Sequence, residues 1–120
     1  MPLSGIEVWL DLAYFQSPMW TAAVILNFAD VGTDDIFNSR GSKHARKVLP
    51  TELHPIAKRK LNMLALASQL VDLKVPPANR LEKLRGRLSA FHSIRINDQW
   101  RIIFRWSLSG ASDVQILDYH

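Results

Sequence analysis

The chain has 120 residues, 48% of them hydrophobic and 22% charged, which fits one globular domain and excludes a disordered or fibrous chain. It contains no cysteine, so disulfide scaffolds, thiolate metal sites and cysteine nucleophiles are excluded, and a reducing compartment suits it. The net charge of +4 conceals a division: residues 1–39 hold five acids and no Lys or Arg, whereas residues 40–120 hold all 15 bases and six acids. That basic excess is the footprint expected of a partner rich in phosphate, or of an acidic protein.

Residues 1–23 are expected to be an N-terminal extension, either a short helix lying on the domain or a segment outside its fold, and the domain then spans residues 24–120. Their aromatics (Trp9, Tyr14, Phe15, Trp20) are scattered, and a weak helical pattern at Val8, Leu12 and Phe15 ends at Ser17-Pro18. The uncharged stretch that begins at Leu12 is broken by Gln16, Ser17 and Pro18, short of the ~20 apolar residues of a membrane span. No Lys or Arg precedes it, so it makes a poor signal peptide. The expectation is a cytoplasmic protein without a membrane partner.

From Val24 the texture changes. Val24, Leu26 and Phe28 alternate with Ile25 and Asn27 as in a short strand. Asp30 to Thr33 reads as a turn, with Thr33 as N-cap of a helix reaching Phe37. Asn38 to Ser42 is a loop around Gly41. Thr51 caps the clearest helix, with Pro55 in its first turn. Ile56, Leu61, Leu64 and Ala65 form its apolar side, with Lys58, Arg59, Lys60 and Asn62 mostly opposite. Ser68 to Leu73 reads as a short second turn of helix, and the two prolines make Val75 to Asn79 extended or looped.

After Asn79 the period becomes two. Leu81 to Leu84 leads into a turn at Arg85-Gly86-Arg87, followed by strands over 91–96, 100–106 and 113–119. Asn97-Asp98-Gln99 and Ser109-Gly110-Ala111 are the intervening turns. This order predicts an α+β domain, with the N-terminal strand and helices on one face of an antiparallel sheet. Strand parity sets Ile94, Ile96, Trp100, Ile102, Phe104, Trp106, Val114 and Ile116 on the core face. The opposite face then carries Arg95, Arg101, Arg105, Gln115 and Tyr119, with few acids expected as partners.

Tyr119 and His120 beside these arginines supply groups able to exchange protons, and the ordinary imidazole pKa of ~6.5 lies near neutrality. Such a set meets the needs of RNA cleavage: a proton leaves the ribose 2′-OH, charge on the phosphorane-like transition state is stabilised, and the leaving 5′-oxygen gains a proton. Arginine suits the middle role, because its planar fork bonds two phosphate oxygens at once. No metal or other cofactor is implied. The four histidines (44, 54, 92, 120) lack ligand spacing.

Three stretches resemble the HigB-type toxins of the RelE/ParE superfamily: Pro76-Pro77-Ala78-Asn79-Arg80-Leu81-Glu82, the run from Ser93 to Ile102, and Val114 to His120. The likeness covers about residues 24–120 in order and spacing. It implies a small RelE-like domain that cleaves mRNA on the ribosome, as one half of a type II toxin–antitoxin module. It also implies neutralisation by a HigA-type antitoxin with a helix-turn-helix DNA-binding domain. Carried over by position, it makes Arg101 the transition-state arginine and Tyr119 and His120 the proton-handling pair. Arg85 and Arg95 become phosphate contacts, joined by Arg105 from the same face, while Glu82, His92 and Asp118 fall at supporting positions. The run Arg85-Gly86-Arg87-Leu88 departs from a more usual Lys-Gly-Asp-Arg. Relatives begin near Val24, and a valine codon can serve as a bacterial start. An alternative is a non-catalytic ParE-like toxin that binds a protein such as DNA gyrase, which would have no need of Tyr119 and His120 beside Arg101. Truncating Arg101 is expected to leave the core packing alone.

Overall fold

A computed structural model describes residues 24–119. The expectations placed on residues 1–23 and on the His120 side chain lie outside the described residues. Among the described residues three helices, α1 (Val31–Phe37), α2 (Lys43–Val48) and α3 (His54–Leu66), precede four strands: β1 (Glu82–Lys83), β2 (His92–Arg95), β3 (Trp100–Ser107) and β4 (Gly110–Asp118). The strands form one antiparallel meander in the order β1-β2-β3-β4. Helices α1 and α3 lie against β4, and α2 lies against α1. The fold is α+β, as expected.

Local chemistry accounts for most element ends. Asp30, not Thr33, caps α1: its carboxylate accepts from the Thr33 backbone N–H at 2.6 Å. Thr33 is fully buried one turn in, where its hydroxyl donates to Asp30 Oδ2 and accepts from the Ile116 N–H at 3.3 Å, tying α1 to β4. Ser42 caps α2 through the Ala45 N–H. At Gly32 any Cβ would lie 2.5 Å from the His44 carbonyl oxygen, so only glycine lets α1 and α2 approach this closely. Thr51 does not cap α3 as expected: it opens a single 3-10 turn (Thr51–Leu53) before the helix, and Pro55 takes an early position where no N–H is needed.

Two further expectations change. The strand at residues 24–28 reduces to two parallel bridges along the outer edge of β4, Ile25 to Ala111 and Phe28 to Val114. The side chain of Asn27 secures that edge: Nδ2 donates to Asp113 Oδ1 and Oδ1 accepts from the Asp113 N–H, both at 3.0 Å. Asp113 sits at φ 50 beside a register shift, where two residues of β4 oppose one of β3. Lys60, expected on the solvated side of α3, is instead 5% exposed.

The core lies between helices and sheet. Ile36, Leu49, Leu61 and Leu64 meet Ile94, Ile102, Phe104, Val114 and Ile116 there. Those sheet residues are the ones that strand parity assigned to this face.

Candidate active site

The opposite sheet face carries the polar site, and its register follows from the strand pairings. Glu82 pairs with Ser93, Ser93 with Ile103, and Arg95 with Arg101, so these side chains share one face. Ile103 is 1% exposed although it lies on the side away from the helices. This face is therefore partly covered and is no open platform.

Arg101 is the centre of the arrangement. At 7% exposure it donates from Nε to Ser93 Oγ (2.8 Å) and from Nη2 to the Arg80 carbonyl oxygen (2.6 Å). Glu82 lies 3.9 Å from Nη2, and the Tyr119 ring centre is 5.5 Å from the guanidinium carbon. Burial pulls the guanidinium below its ordinary pKa; Glu82 and Tyr119 oppose that shift, while Arg80 and Arg95 add to it. Among the described residues Nη1 takes no hydrogen-bond partner.

Beside Arg101 opens a cleft of about 510 Å³ lined by Glu82, Lys83, Leu84, Arg85, Leu88 and Tyr119. Its walls arise from β1, from the 3-10 turn Gly86–Leu88 and from the residue after β4. Gly86 turns there at φ 64, a conformation that favours glycine. The Arg85 side chain is exposed and has no ion-pair partner among the described residues. Lys83 donates from Nζ to the Ser89 carbonyl oxygen, which closes the β1–β2 connection.

The structure thus brings together Glu82, Arg85, Arg101 and Tyr119. It adds Lys83 and Ser93, which the sequence reading did not single out as site residues. Ser93 was legible as a neighbour through strand parity; Lys83 was hidden because the two-residue strand β1 has no alternation to read. Two other positions stand elsewhere. His92 points to the core face, with its ring 6.1 Å from Phe104 and its buried Nδ1 without a hydrogen-bond partner. Burial, helped by Lys83, holds its imidazole below the ordinary pKa. The Asp118 carboxylate accepts from Gln99 Nε2 at 3.1 Å, at the start of β3.

The arginines are also less free than expected. Arg95 pairs with Asp98, and Arg105 pairs with Asp113 at 2.9 Å while lying 4.9 Å from the centre of the Phe91 ring. The expectation of few acidic partners is corrected: turn and bulge residues, placed by tertiary structure, supply them. Truncating Arg101 would leave Ser93 and the Arg80 carbonyl without this partner, on the face away from the core.

Residues 26–120 match the family described as the RelE-like toxin HigB of type II toxin–antitoxin systems. Over 74 residues the chain is 39% identical to Toxin HigB-1 of Vibrio cholerae serotype O1, covering 62% of this chain and 77% of that protein. It is also 33% identical over 84 residues to an uncharacterized protein of Haemophilus influenzae, covering 70% of this chain and 80% of the other.

Proposed function

Because the chain belongs to the HigB-like toxins, RelE-like members of type II toxin–antitoxin systems, we propose that it acts as a ribosome-dependent mRNA endonuclease. A toxin of such a system has an antitoxin partner. Here the proposed partner is a HigA-type protein with a helix-turn-helix DNA-binding domain, and the proposed substrate is mRNA on the ribosome. The observation that carries this reading is a buried, doubly anchored Arg101 that meets Glu82 and Tyr119, which line the adjacent cleft together with Arg85.

Chemistry at this site needs no resident metal in the proposed mechanism, since arginines meet the phosphate charge. The scissile phosphate enters the cleft against Arg85, and Arg101 offers Nη1, the end of its guanidinium without a hydrogen-bond partner among the described residues. Fixed in place by Ser93 and Arg80, that guanidinium needs no reorganisation as charge grows on the phosphoryl oxygens. Tyr119, stacked on the same cation, and His120 exchange protons with the ribose 2′-OH and the leaving 5′-oxygen. The 2′-oxygen attacks phosphorus, the bond to the 5′-oxygen breaks, and the products are a 2′,3′-cyclic phosphate and a 5′-hydroxyl end. A site with so few proton-transfer groups leaves positioning of the message to the ribosome.

The test is cleavage of message on translating ribosomes and as free RNA, with wild type, Arg101→Lys and His120→Ala. Arg101→Lys keeps a cation but cannot hold both anchors and a phosphate, so cleavage should fall by about 10²–10³. Equal cleavage of free and ribosome-bound message would remove the ribosome from the reading. Growth arrest without any cleavage would support the ParE-like alternative, a toxin that binds a protein target such as DNA gyrase.

A further inference from the structure

Under the loop that leads into β1, Lys60 and Asn79 form a buried polar pair, at 5% and 0% exposure. Lys60 donates from Nζ to Asn79 Oδ1. Asn79 Nδ2 in turn donates to the carbonyl oxygens of Leu73 (3.1 Å) and Val75 (3.4 Å). The amide can face only one way, because the ammonium has nothing but donors and the carbonyls nothing but acceptors. No carboxylate accompanies this lysine among the hydrogen bonds and ion pairs of the described residues. Burial and the nearby Arg59 and Arg95 hold its pKa low. A buried ammonium set among cations is a poor source of net stability. What it does fix is the orientation of one amide, and through that amide the course of the loop.

Directly after Asn79 the chain turns left-handed at Arg80 (φ 48), and the Arg80 carbonyl oxygen meets Arg101 Nη2. Ser93 holds the guanidinium only at Nε, a single bond about which the group can swing. The Arg80 carbonyl is the second anchor, and two anchors define the plane. We propose that Lys60 and Asn79 are positioning residues for Arg101, clamping the loop so that its carbonyl holds the guanidinium beneath Tyr119. The catalytic consequence rests on the endonuclease reading above.

Two measurements on the full chain test this. In 15N NMR the Nε–H of wild-type Arg101, identified by its loss in Arg101→Lys, should exchange slowly. In Lys60→Met its protection should fall about tenfold or more while the backbone amides of β3 stay protected. On saturating translating ribosomes the cleavage rate of Lys60→Met should drop about tenfold, with the half-saturating concentration unchanged, because binding groups are intact and only alignment is lost. Unchanged Nε–H protection in a folded variant, or unchanged cleavage in an active protein, overturns the proposal. If wild type does not cleave at all, the endonuclease reading fails, while the exchange measurement still decides whether the clamp exists. Should Lys60→Met not fold, Asn79→Ser is read in its place by the same measurements; failure of both to fold would assign the pair to the folding core and overturn the positioning role.

Discussion

On the helix side of the sheet, Ile94, Ile102, Phe104 and Val114 are fully buried and held by contacts without direction. On the other side Ser93, Arg101 and Ile103 are almost as inaccessible, yet two of the three are polar and joined to each other and to a loop carbonyl. One face needs only volume and apolar character, because dispersion and hydrophobic burial add up from any direction. The other needs particular atoms at particular distances, because a buried donor without a partner costs more than a made bond returns. Loss on the first face is thus paid in stability, and loss on the second chiefly in the geometry of the cleft.

Phe104→Ala should give the largest loss of stability. It removes a fully buried ring from the core and should cost about 3–5 kcal/mol, read from the denaturation midpoint. Arg101→Ala comes next. It deprives Ser93 and the Arg80 carbonyl of their partner and should cost about 1–3 kcal/mol. An Arg101→Ala protein destabilised as much as Phe104→Ala would erase the contrast between the faces, since the guanidinium would then support the fold as the buried ring does.

How much of this contrast the sequence showed depends on the range of the forces involved. Period-two alternation placed Ile94, Ile102, Phe104, Val114 and Ile116 correctly, because one buried face imposes that pattern on its own strand. The short basic helix α2 escaped notice: Lys43, His44, Arg46 and Lys47 give no apolar period, and Ala45 is its single buried residue. The bulge at Asp113 was equally hidden, since it depends on Asn27, 86 positions away. Around the site, parity and family resemblance singled out Arg101, Tyr119 and Glu82, which the fold sets side by side. Lys60 was missed because a lysine that buries its ammonium against an asparagine looks, in a sequence, like one that faces water. The acidic partners of Arg95 and Arg105 were missed for a related reason: Asp98 and Asp113 lie in a turn and a bulge, outside the alternation that assigned the faces.

His92 crosses the division, since its backbone belongs to the strand that presents Ser93 but its ring lies against Phe104 on the core face. Its pKa is lowered in the folded protein, so the folded state takes up a proton less readily than the unfolded chain. Its contribution is therefore complete above the unfolded value of ~6.5 and shrinks as pH falls through it. Denaturation midpoints at pH 7.5 and 5.5 should show a smaller acid loss for His92→Phe than for wild type. The same loss in both would mean that the ring is solvated and belongs to neither face.

Arg105→Ala should have the smallest effect. Its guanidinium lies on the polar face but at the rim, half-exposed and paired with a similarly exposed Asp113. Water and salt screen such a pair, and its worth is about 0–1 kcal/mol. Asp113 also keeps its two bonds to Asn27 when Arg105 is gone, so the bulge and the edge beside β4 retain their support. Stability should therefore move by less than about 1 kcal/mol, and cleavage on ribosomes by only a few-fold. The informative contrast is with Arg85→Ala. Arg85 lines the cleft and has no ion-pair partner among the described residues, so its removal should cost cleavage while leaving the denaturation midpoint unchanged. If Arg105→Ala proves as damaging to cleavage as Arg85→Ala at equal stability, Arg105 leaves Asp113 to meet phosphate. The functional face would then extend along β3 to Phe91, beyond the cleft.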